Sequence, residues 1–364
     1  TLLISCQKAN EADISLILDG NDLNVEFEGL AIQNAQAGIQ LLIGEDEKLT
    51  EWFPSGMPDI SQTNRNTPIG EALDNIMTWQ HEDGYEFSWT VCHLPDESGY
   101  TLRASITNQR AEPIRIRNFI LARTPQMGLI CEGDPAGWWL LSPMNNTRQG
   151  ANLAKVLPSR LRLKEQKVYG YDKYSDDNPR NADGHWRFFE EVVSLYRASD
   201  RKGIVIGPVG PGVSNVNINC RVDAGNILLE IVSSMDEILL DPSETRASEE
   251  VIILQKPYKE ALTTLFSWMA ETHGARKKRD PVFGWCSWYD RYTHIDQEHI
   301  LRIAETVKTQ RDIMPFQVIQ IDHGWHGPFG DWGENEKFSL GMGHIAEKIR
   351  EAGAMPGIWL SPVV

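Results

Sequence analysis

The sequence predicts a multi-domain fold, with an N-terminal antiparallel β-sandwich followed by the start of a (β/α)8 TIM barrel. Residues 1–257 contain many short alternating or β-branched segments separated by turn residues. Residues 258–280 change to a helical period, and residues 281–364 repeat a strand–helix pattern. We therefore divide the chain into a sandwich domain (1–257), a helical linker (258–280) and the first three βα units of a truncated barrel (281–364).

The sandwich prediction rests on segments that alternate apolar and polar residues or are rich in β-branched residues. Turn signals such as Asp19-Gly20 separate them. One segment, 137–146, begins with paired tryptophans, which belong either to the sandwich core or to an aromatic wall over the barrel mouth. The predicted strands are Ile14–Leu18, Leu23–Phe27, Tyr100–Ile106, Ile114–Leu121, Val216–Val222, Ile227–Val232 and Val251–Leu254.

The linker is predicted from a change of period between Tyr258 and Thr272. Gly274 and the basic run Arg276–Arg279 then precede the first barrel strand, and four charges at this point are typical of a solvated linker. We place the domain boundary here. The apolar residues that share one face of the linker helix are Leu262, Leu265, Phe266 and Met269.

Three strand–helix units follow the linker. Strands are predicted at Val282–Phe283, Phe316–Ile321 and Pro356–Leu360, and their starts lie 34 and 40 residues apart, the spacing of parallel βαβ units. Asp296 precedes the first helix as an N-cap, and Gly353 closes the second as a C′ glycine. The apolar helical positions are Ile300, Ile303, Ala304 and Val307 in the first helix, and Met342, Ile345, Ala346 and Ile349 in the second.

The residues after each strand favour a barrel over an open doubly wound sheet. No Gly-rich phosphate loop follows the first strand, as a dinucleotide site requires. Tryptophan beside carboxylate is typical of a sugar pocket, because indole stacks on the C–H face of a pyranose and carboxylates bind its hydroxyls. The residues predicted to gather at the carboxyl ends of the strands are Trp288, Asp290, Asp322, His323, Trp325 and Trp359.

Composition excludes several classes of partner. The net charge of −16 argues against nucleic acid and against an anionic membrane surface, since both require a basic footprint. No apolar stretch approaches the roughly 20 residues of a membrane span. The five cysteines are scattered without a C-x-x-C pair, so we expect them to be reduced. Residues 1–10 lack the apolar core of a signal peptide, and we expect a cytoplasmic protein.

Four ordered motifs carry a family resemblance. They are Gly284-Trp285-Cys286-Ser287-Trp288-Tyr289, Gln320-Ile321-Asp322-x-Gly324-Trp325, Gly330-Asp331-Trp332 and Gly357-Ile358-Trp359-Leu360-Ser361-Pro362. Together they resemble the opening motifs of glycoside hydrolase family 36, the melibiase-like α-galactosidases and their relatives. That family joins an N-terminal β-sandwich, a helical linker and a (β/α)8 barrel, which matches the layout predicted above.

The resemblance implies a retaining α-glycosidase that acts on α-linked galactosides or a C6-modified relative. In the family the nucleophile and the acid/base are aspartates on the fourth and sixth barrel strands. We therefore expect no catalytic residue in residues 1–364, and the pair to lie beyond residue 364 or on another chain. A homo-oligomer or a second chain that completes the barrel is one expected partner. The alternatives are a raffinose-synthase-like transglycosidase and a non-catalytic carbohydrate-binding remnant.

The resemblance also implies which residues bind the glycoside or oligosaccharide substrate. Asp322 matches the first of two adjacent aspartates that hold the galactose O4 and O6 hydroxyls in the family. Trp288, Trp332 and Trp359 are the expected aromatic contacts, with Trp285 assigned to packing. Asp331 is expected either to contact sugar or to hold its loop. No cofactor is implied.

His323 departs from the family pattern, which has aspartate at this position. An imidazole can donate a hydrogen bond and, when protonated, carry positive charge, so it would suit a carboxylate, a sulfate, a different hydroxyl or a pentopyranose. A metal site is also suggested by four nearby oxygen and imidazole ligands, those of His323, Asp322, His326 and Asp331. We expect no metal, because adjacent residues of a strand such as Asp322 and His323 point to opposite faces.

Overall fold

The computed structural model describes residues 2–4, 15–44, 48–96, 98–125, 127–134, 137–141, 151–152, 186–223, 226–276 and 280–361. Internal contacts divide the chain into two compact units, Thr1–Arg276 and Lys277–Val364. The three-part division at 257 and 280 remains a prediction. Among the helices that the structure describes, none is long and apolar enough to cross a membrane.

The described part of the first unit is mostly β-strand. Its first strands are β1 (Leu2–Ile4), β2 (Ser15–Asp19), β3 (Asp22–Phe27), β4 (Leu30–Ile43), β5 (Lys48–Trp52), β6 (Asp59–Thr67), β7 (Gly70–His81), β8 (Tyr85–His93), β9 (Gly99–Asn108) and β10 (Ile114–Arg123). They continue with β11 (Leu129–Cys131), β12 (Trp138–Leu141), β13 (Ala151–Asn152), β14 (Trp186–Glu190), β15 (Val193–Arg197), β16 (Gly203–Pro208), β17 (Asn215–Asp223), β18 (Asn226–Leu240), β19 (Thr245–Ala247) and β20 (Val251–Leu254).

These strands form two antiparallel sheets. One runs β1-β2-β3-β4-β10-β18-β17-β14, with β11 and β5 paired beside it, and the other runs β13-β12-β15-β16-β20-β9-β8-β7-β6, with β19 on β9. Inward residues of both sheets share one hydrophobic core, as in the ring contact between Phe27 of β3 and Tyr100 of β9. The predicted antiparallel β-structure is confirmed, and a two-sheet sandwich is the arrangement that this shared core indicates.

The sandwich core also contains Trp138, which is fully buried. It stacks under the Arg197 guanidinium, whose carbon lies 5.7 Å from the indole centroid, and its Nε1 donates to the Glu132 carbonyl. Trp138 is therefore a core residue rather than an aromatic wall. Residues 142–146 of the same predicted segment lie outside the described residues.

One buried carboxylate holds strands of the second sheet together. Asp74 of β7 is completely buried and lies 2.7 Å from both the Nε of Arg65 and a terminal nitrogen of Arg103. Arg65 also pairs with Glu250, which accepts a hydrogen bond from Thr101. The network satisfies a charge that would otherwise be costly to bury.

Helix α1 (Tyr258–Thr272) has the bounds predicted from the sequence, and it begins directly after Pro257. Its buried face carries Ala261, Leu265 and Trp268, which pack with the outer side of the second sheet. The prediction that Phe266 shares this face was wrong, because its side chain is 43% exposed. Phe266 follows Leu265 by one residue, which turns its side chain about 100° around the helix and away from the face of Ala261 and Trp268.

The second unit is a three-stranded parallel sheet with helices between its strands. Its elements are β21 (Gly284–Cys286), α2 (Trp288–Arg291), α3 (Gln297–Thr309), β22 (Val318–Ile321), a short 3-10 helix (Glu336–Phe338), α4 (Met342–Glu351) and β23 (Met355–Ile358). Both pairings, β21 with β22 and β22 with β23, are parallel. The predicted adjacent parallel strands are therefore present in the predicted order.

The two longer helices follow their sequence signals. The Asp296 carboxylate accepts the backbone N–H of His299 at 2.8 Å, which is the N-cap that the sequence predicted for α3. Helix α4 ends before Gly353, whose φ of +79° is a conformation that glycine adopts freely. The apolar faces of α3 and α4 form a core with the middle strand through Ile300, Ala304, Val307, Ile319, Ile321, Ile345 and Ile349.

The first strand begins later than predicted. Val282 and Phe283 are exposed and precede β21, although the Phe283 carbonyl already accepts from the Gln317 N–H at 2.7 Å. The ladder starts at Gly284, where an added Cβ would lie 2.9 Å from the Val318 carbonyl oxygen. The close approach of the two backbones favours glycine at this position.

Candidate functional site

The carboxyl ends of the three parallel strands meet at one edge of the sheet. Cys286 pairs with Gln320, and Ile321 with Ile358, so the residues that follow each strand are neighbours in space. The Trp359 N–H donates to the Ile321 carbonyl at 2.8 Å and carries this contact beyond the last strand. The predicted site residues Trp288, Asp322, His323 and Trp359 therefore lie at the same edge.

Asp322 is half-buried and held by hydrogen bonds from three donors. Its Oδ2 accepts from Gln320 Nε2 at 3.0 Å and from the Cys286 thiol at 3.4 Å, and its Oδ1 accepts from the His323 N–H at 2.8 Å. The Asp322 N–H donates to the buried hydroxyl of Ser287 at 2.8 Å. A carboxylate offers about four lone-pair sites, so about one remains for a ligand hydroxyl.

His323 is in ring contact with two of the predicted tryptophans. Its imidazole is nearly parallel to Trp288, with centroids 6.1 Å apart, and to Trp359, with centroids 5.2 Å apart. Burial lowers the pKa of His323 below its usual value, and nearby His326 and Lys337 lower it further, against the opposing effect of Asp322. The neutral imidazole is therefore favoured, which removes support from a protonated His323 that binds a carboxylate or sulfate.

Five rings form an aromatic cluster beside Asp322, which we define as His323, His326, Phe329, Trp332 and Trp359. His326 stacks on His323 with centroids 5.1 Å apart and meets Trp332 edge-on at 4.9 Å. Phe329 is half exposed and contacts His323 and His326 at 5.1 and 5.4 Å. The cluster presents several π faces next to one carboxylate, which is the combination that a pyranose ring requires.

Two predicted site residues have different surroundings. Trp332 belongs to the aromatic cluster, 6.5 Å from Trp359 between ring centroids. Asp331 is exposed, and its Oδ1 accepts the Gly333 N–H at 3.2 Å within its own turn. The described geometry of Asp331 therefore matches the loop-holding alternative, and a sugar contact remains a prediction.

Asp290 was expected at the sugar pocket, but its carboxylate bonds to a helix instead. Asp290 Oδ2 lies 2.7 Å from Nε2 of His299, whose side chain is buried against Trp285. This pair connects α2, which begins with Trp288, to α3. Its effect on the site is to fix the segment that presents the Trp288 indole.

From the sequence, His326 was considered only as a metal ligand, and Phe329 was not selected. Both lie in the irregular segment 323–333, where no strand or helix period indicates which side chains converge. The signal that could have found Phe329 is an aromatic residue between Gly327 and Gly330, in a loop that follows a sheet edge. Across the residues that the structure describes, no three His, Cys, Asp or Glu side chains gather as a metal site.

No protein-family model matches this chain. Solved structures with a similar fold include the family 36 α-galactosidase AgaA from Geobacillus stearothermophilus, at a TM-score of 0.54 and 13% identity over 96% of this chain and 56% of that chain. The galactosidase domain of the α-galactosidase-sucrose kinase AgaSK has a TM-score of 0.53 and 17% identity over 89% of this chain and 45% of its own. An α-galactosidase from Lactobacillus brevis has a TM-score of 0.50 and 14% identity, over 92% of this chain and 42% of that chain.

These similarities are similarities of fold, and this chain spans about half the length of each of these proteins. The resemblance to glycoside hydrolase family 36 that the sequence motifs suggested is confirmed at this level, because the fold neighbours are family 36 α-galactosidases. The activity and the roles of individual residues are not decided by likeness of fold.

Proposed function

We propose that this chain is part of a retaining α-glycosidase of the α-galactosidase type, which acts on α-linked galactosides or a C6-modified relative. In this proposal residues 281–364 begin a (β/α)8 barrel, and the nucleophile and acid/base aspartates lie beyond residue 364 or on another chain. The observation that carries the proposal is the aromatic cluster beside Asp322, at the carboxyl edge of a parallel sheet. Barrel enzymes build their active sites at this edge.

The chemistry of the cluster supports a sugar ligand. Trp332 and Trp359 supply faces for the C–H side of a pyranose, while the remaining acceptor site on Asp322 supplies a fixed partner for one hydroxyl. Gln320, Cys286 and Ser287 hold the Asp322 carboxylate and backbone in place before a ligand arrives. Such preorganisation reduces the entropy that is lost on binding.

The proposed reaction needs two further carboxyl groups. In retaining hydrolysis these lie about 5–5.5 Å apart, one to form the glycosyl–enzyme ester and one to protonate the leaving oxygen. The residues of this chain would bind and orient the sugar, and they would not carry out the displacement. The cytoplasmic location and the partner that completes the barrel remain predictions from the sequence.

The test uses the protein expressed from its complete gene. We expect it to hydrolyse 4-nitrophenyl α-D-galactopyranoside and to bind methyl α-D-galactopyranoside. Trp332→Ala should weaken that binding about tenfold, because an aromatic–sugar contact worth about 1.4 kcal/mol is lost. Trp268→Phe in α1, where the side chain is buried in the first unit, is the control and should leave binding unchanged.

The products distinguish the alternatives. Transfer of galactose to added sucrose in place of water would identify a transglycosidase. Binding of the methyl galactoside without turnover by the complete protein would identify a carbohydrate-binding remnant. A complete protein that neither binds nor cleaves α-galactosides would contradict the proposed function.

A further inference from the structure

His326 has a buried nitrogen without a hydrogen-bond partner. The side chain is 94% buried (6% exposed), and its Nδ1 lies 2.6 Å from the Gly327 carbonyl oxygen. A carbonyl only accepts, so Nδ1 carries the proton and Nε2 presents a lone pair in the neutral ring. That Nε2 is buried and has no partner among the described residues.

The rings around His326 do not donate a hydrogen bond to its Nε2. Its ring neighbours are aromatic, and the indole Nε1 of the adjacent Trp325 is already bonded to the Trp359 carbonyl at 3.0 Å. A buried acceptor without a donor costs about 1–3 kcal/mol, and such groups in folded proteins call for an explanation. A ligand hydroxyl would satisfy this nitrogen and recover that free energy.

We propose that Nε2 of His326 accepts a hydrogen bond from a hydroxyl of the bound sugar, and that the ligand reaches it by displacing the ring of Phe329. Phe329 contacts His326 and is half exposed, in a segment flanked by Gly327 and by Gly330, whose φ is +87°. This assignment rests on the proposed function and adds a binding residue to the site.

The same geometry identifies the chemical class of the sugar. The lone pair of Nε2 and the carboxylate of Asp322 are both acceptors, so together they bind hydroxyl donors and repel anions. Lys337, a cation that lowers the pKa of His323, donates a hydrogen bond to the Thr293 carbonyl at 3.0 Å. The site therefore selects an uncharged sugar over one with a carboxylate or sulfate at C6.

Substitution by glutamine or by asparagine, whose amide groups lie at different distances from the backbone, tests the two nitrogens of His326 separately. In His326→Gln the terminal amide reaches the position of Nε2 and supplies an acceptor there. In His326→Asn the shorter amide reaches the position of Nδ1, where it keeps the donor to Gly327 and loses the acceptor. His344→Asn, at an exposed position of α4, is the control.

The experiment measures binding of methyl α-D-galactopyranoside and of its galacturonide analogue by calorimetry, in the protein expressed from its complete gene. We expect His326→Asn to weaken galactoside binding about tenfold, while His326→Gln and His344→Asn stay within about threefold of wild type. We expect wild type to bind the galacturonide at least about tenfold more weakly than the galactoside. His326→Phe, which fills the space of the imidazole, replaces the asparagine variant should the latter not fold.

Distinct outcomes overturn the proposed function, the role of His326 and the assignment of an uncharged sugar. Wild-type protein that binds neither sugar overturns the proposed function together with this assignment. If wild type binds methyl α-D-galactopyranoside and His326→Asn, or His326→Phe in its place, binds it with the same affinity, the role of His326 is overturned and the proposed function stands. Equal or tighter binding of the galacturonide overturns the assignment of an uncharged sugar.

Discussion

Asp322 has two roles, since its carboxylate holds the sheet edge and also faces the site. A measurement of stability without ligand tests the first role alone. Asp322→Ala removes the acceptor for Gln320 Nε2 and for the His323 N–H, plus a weaker thiol bond. A hydrogen bond to a charged group contributes about 1.5–3 kcal/mol, and solvent screening at this half-buried position reduces that contribution to about 1 kcal/mol. Counting about 1 kcal/mol for each strong bond, we expect the free energy of unfolding to fall by about 2 kcal/mol.

Urea denaturation followed by tryptophan fluorescence measures this loss, because several indoles of the second unit lie near Asp322. Asp331→Ala is the matched control, since Asp331 is exposed and accepts one hydrogen bond inside its own turn. We expect the control to change stability by less than about 0.5 kcal/mol. An unfolding midpoint for Asp322→Ala equal to that of wild type would refute the structural role and leave Asp322 as a ligand-binding group alone.

Three further predictions concern titration and buried charge. The pKa of His323 is lower in the folded state than its ordinary 6.5, so the unfolded state binds more protons, and stability should fall as pH drops through 6.5. Thermal unfolding between about pH 8 and pH 5 should therefore show a smaller loss for His323→Phe than for wild type, and equal losses would contradict this. Asp74→Ala should cost about 3 kcal/mol in a denaturation experiment, because two arginines lose their buried partner, while Asp83→Ala, 55% exposed, should be nearly neutral. Burial raises the pKa of Cys131 and of Cys220 to about 12, so iodoacetamide at about pH 8 should modify them, as followed by peptide mass spectrometry, only after unfolding.

Local signals were sufficient wherever one element determines its own limits. Helix α1 was predicted with correct bounds because Pro257 ends the preceding extended segment and an apolar period continues to Met269. The N-cap Asp296 and the helix end at Gly353 were also predicted, since each of these residues acts within a few residues of its own position. The spacing of the three last strands indicated their parallel pairing, because a crossover helix requires about that length.

The details of the site depend on contacts between side chains that are distant in the sequence or lie in irregular segments. Gln320 and Asp322 share one face by the two-residue period of a strand, so their bond was accessible to sequence reasoning. The thiol of Cys286 reaches the same carboxylate only through the register of β21 against β22, and no local pattern states a register. The stack of His323 on His326 lies in an irregular segment, where neither the period of a helix nor that of a strand applies.

An imidazole in place of a second carboxylate changes the electrostatics of the pocket as well as its hydrogen bonding. Two adjacent ionised carboxylates repel each other and require donors to compensate, whereas the neutral ring of His323 can be buried against Trp288 and Trp359 at little cost. The stack fixes the imidazole, and Asp322 is the carboxylate whose charge opposes the lowering of the His323 pKa. In the proposed function, a sugar that binds here meets ring faces and the acceptors of Asp322 and His326 in place of a pair of carboxylates. Selectivity for the arrangement of its hydroxyls would then depend on which of them meets each acceptor, and the segment that carries Phe329 controls access to one of the two.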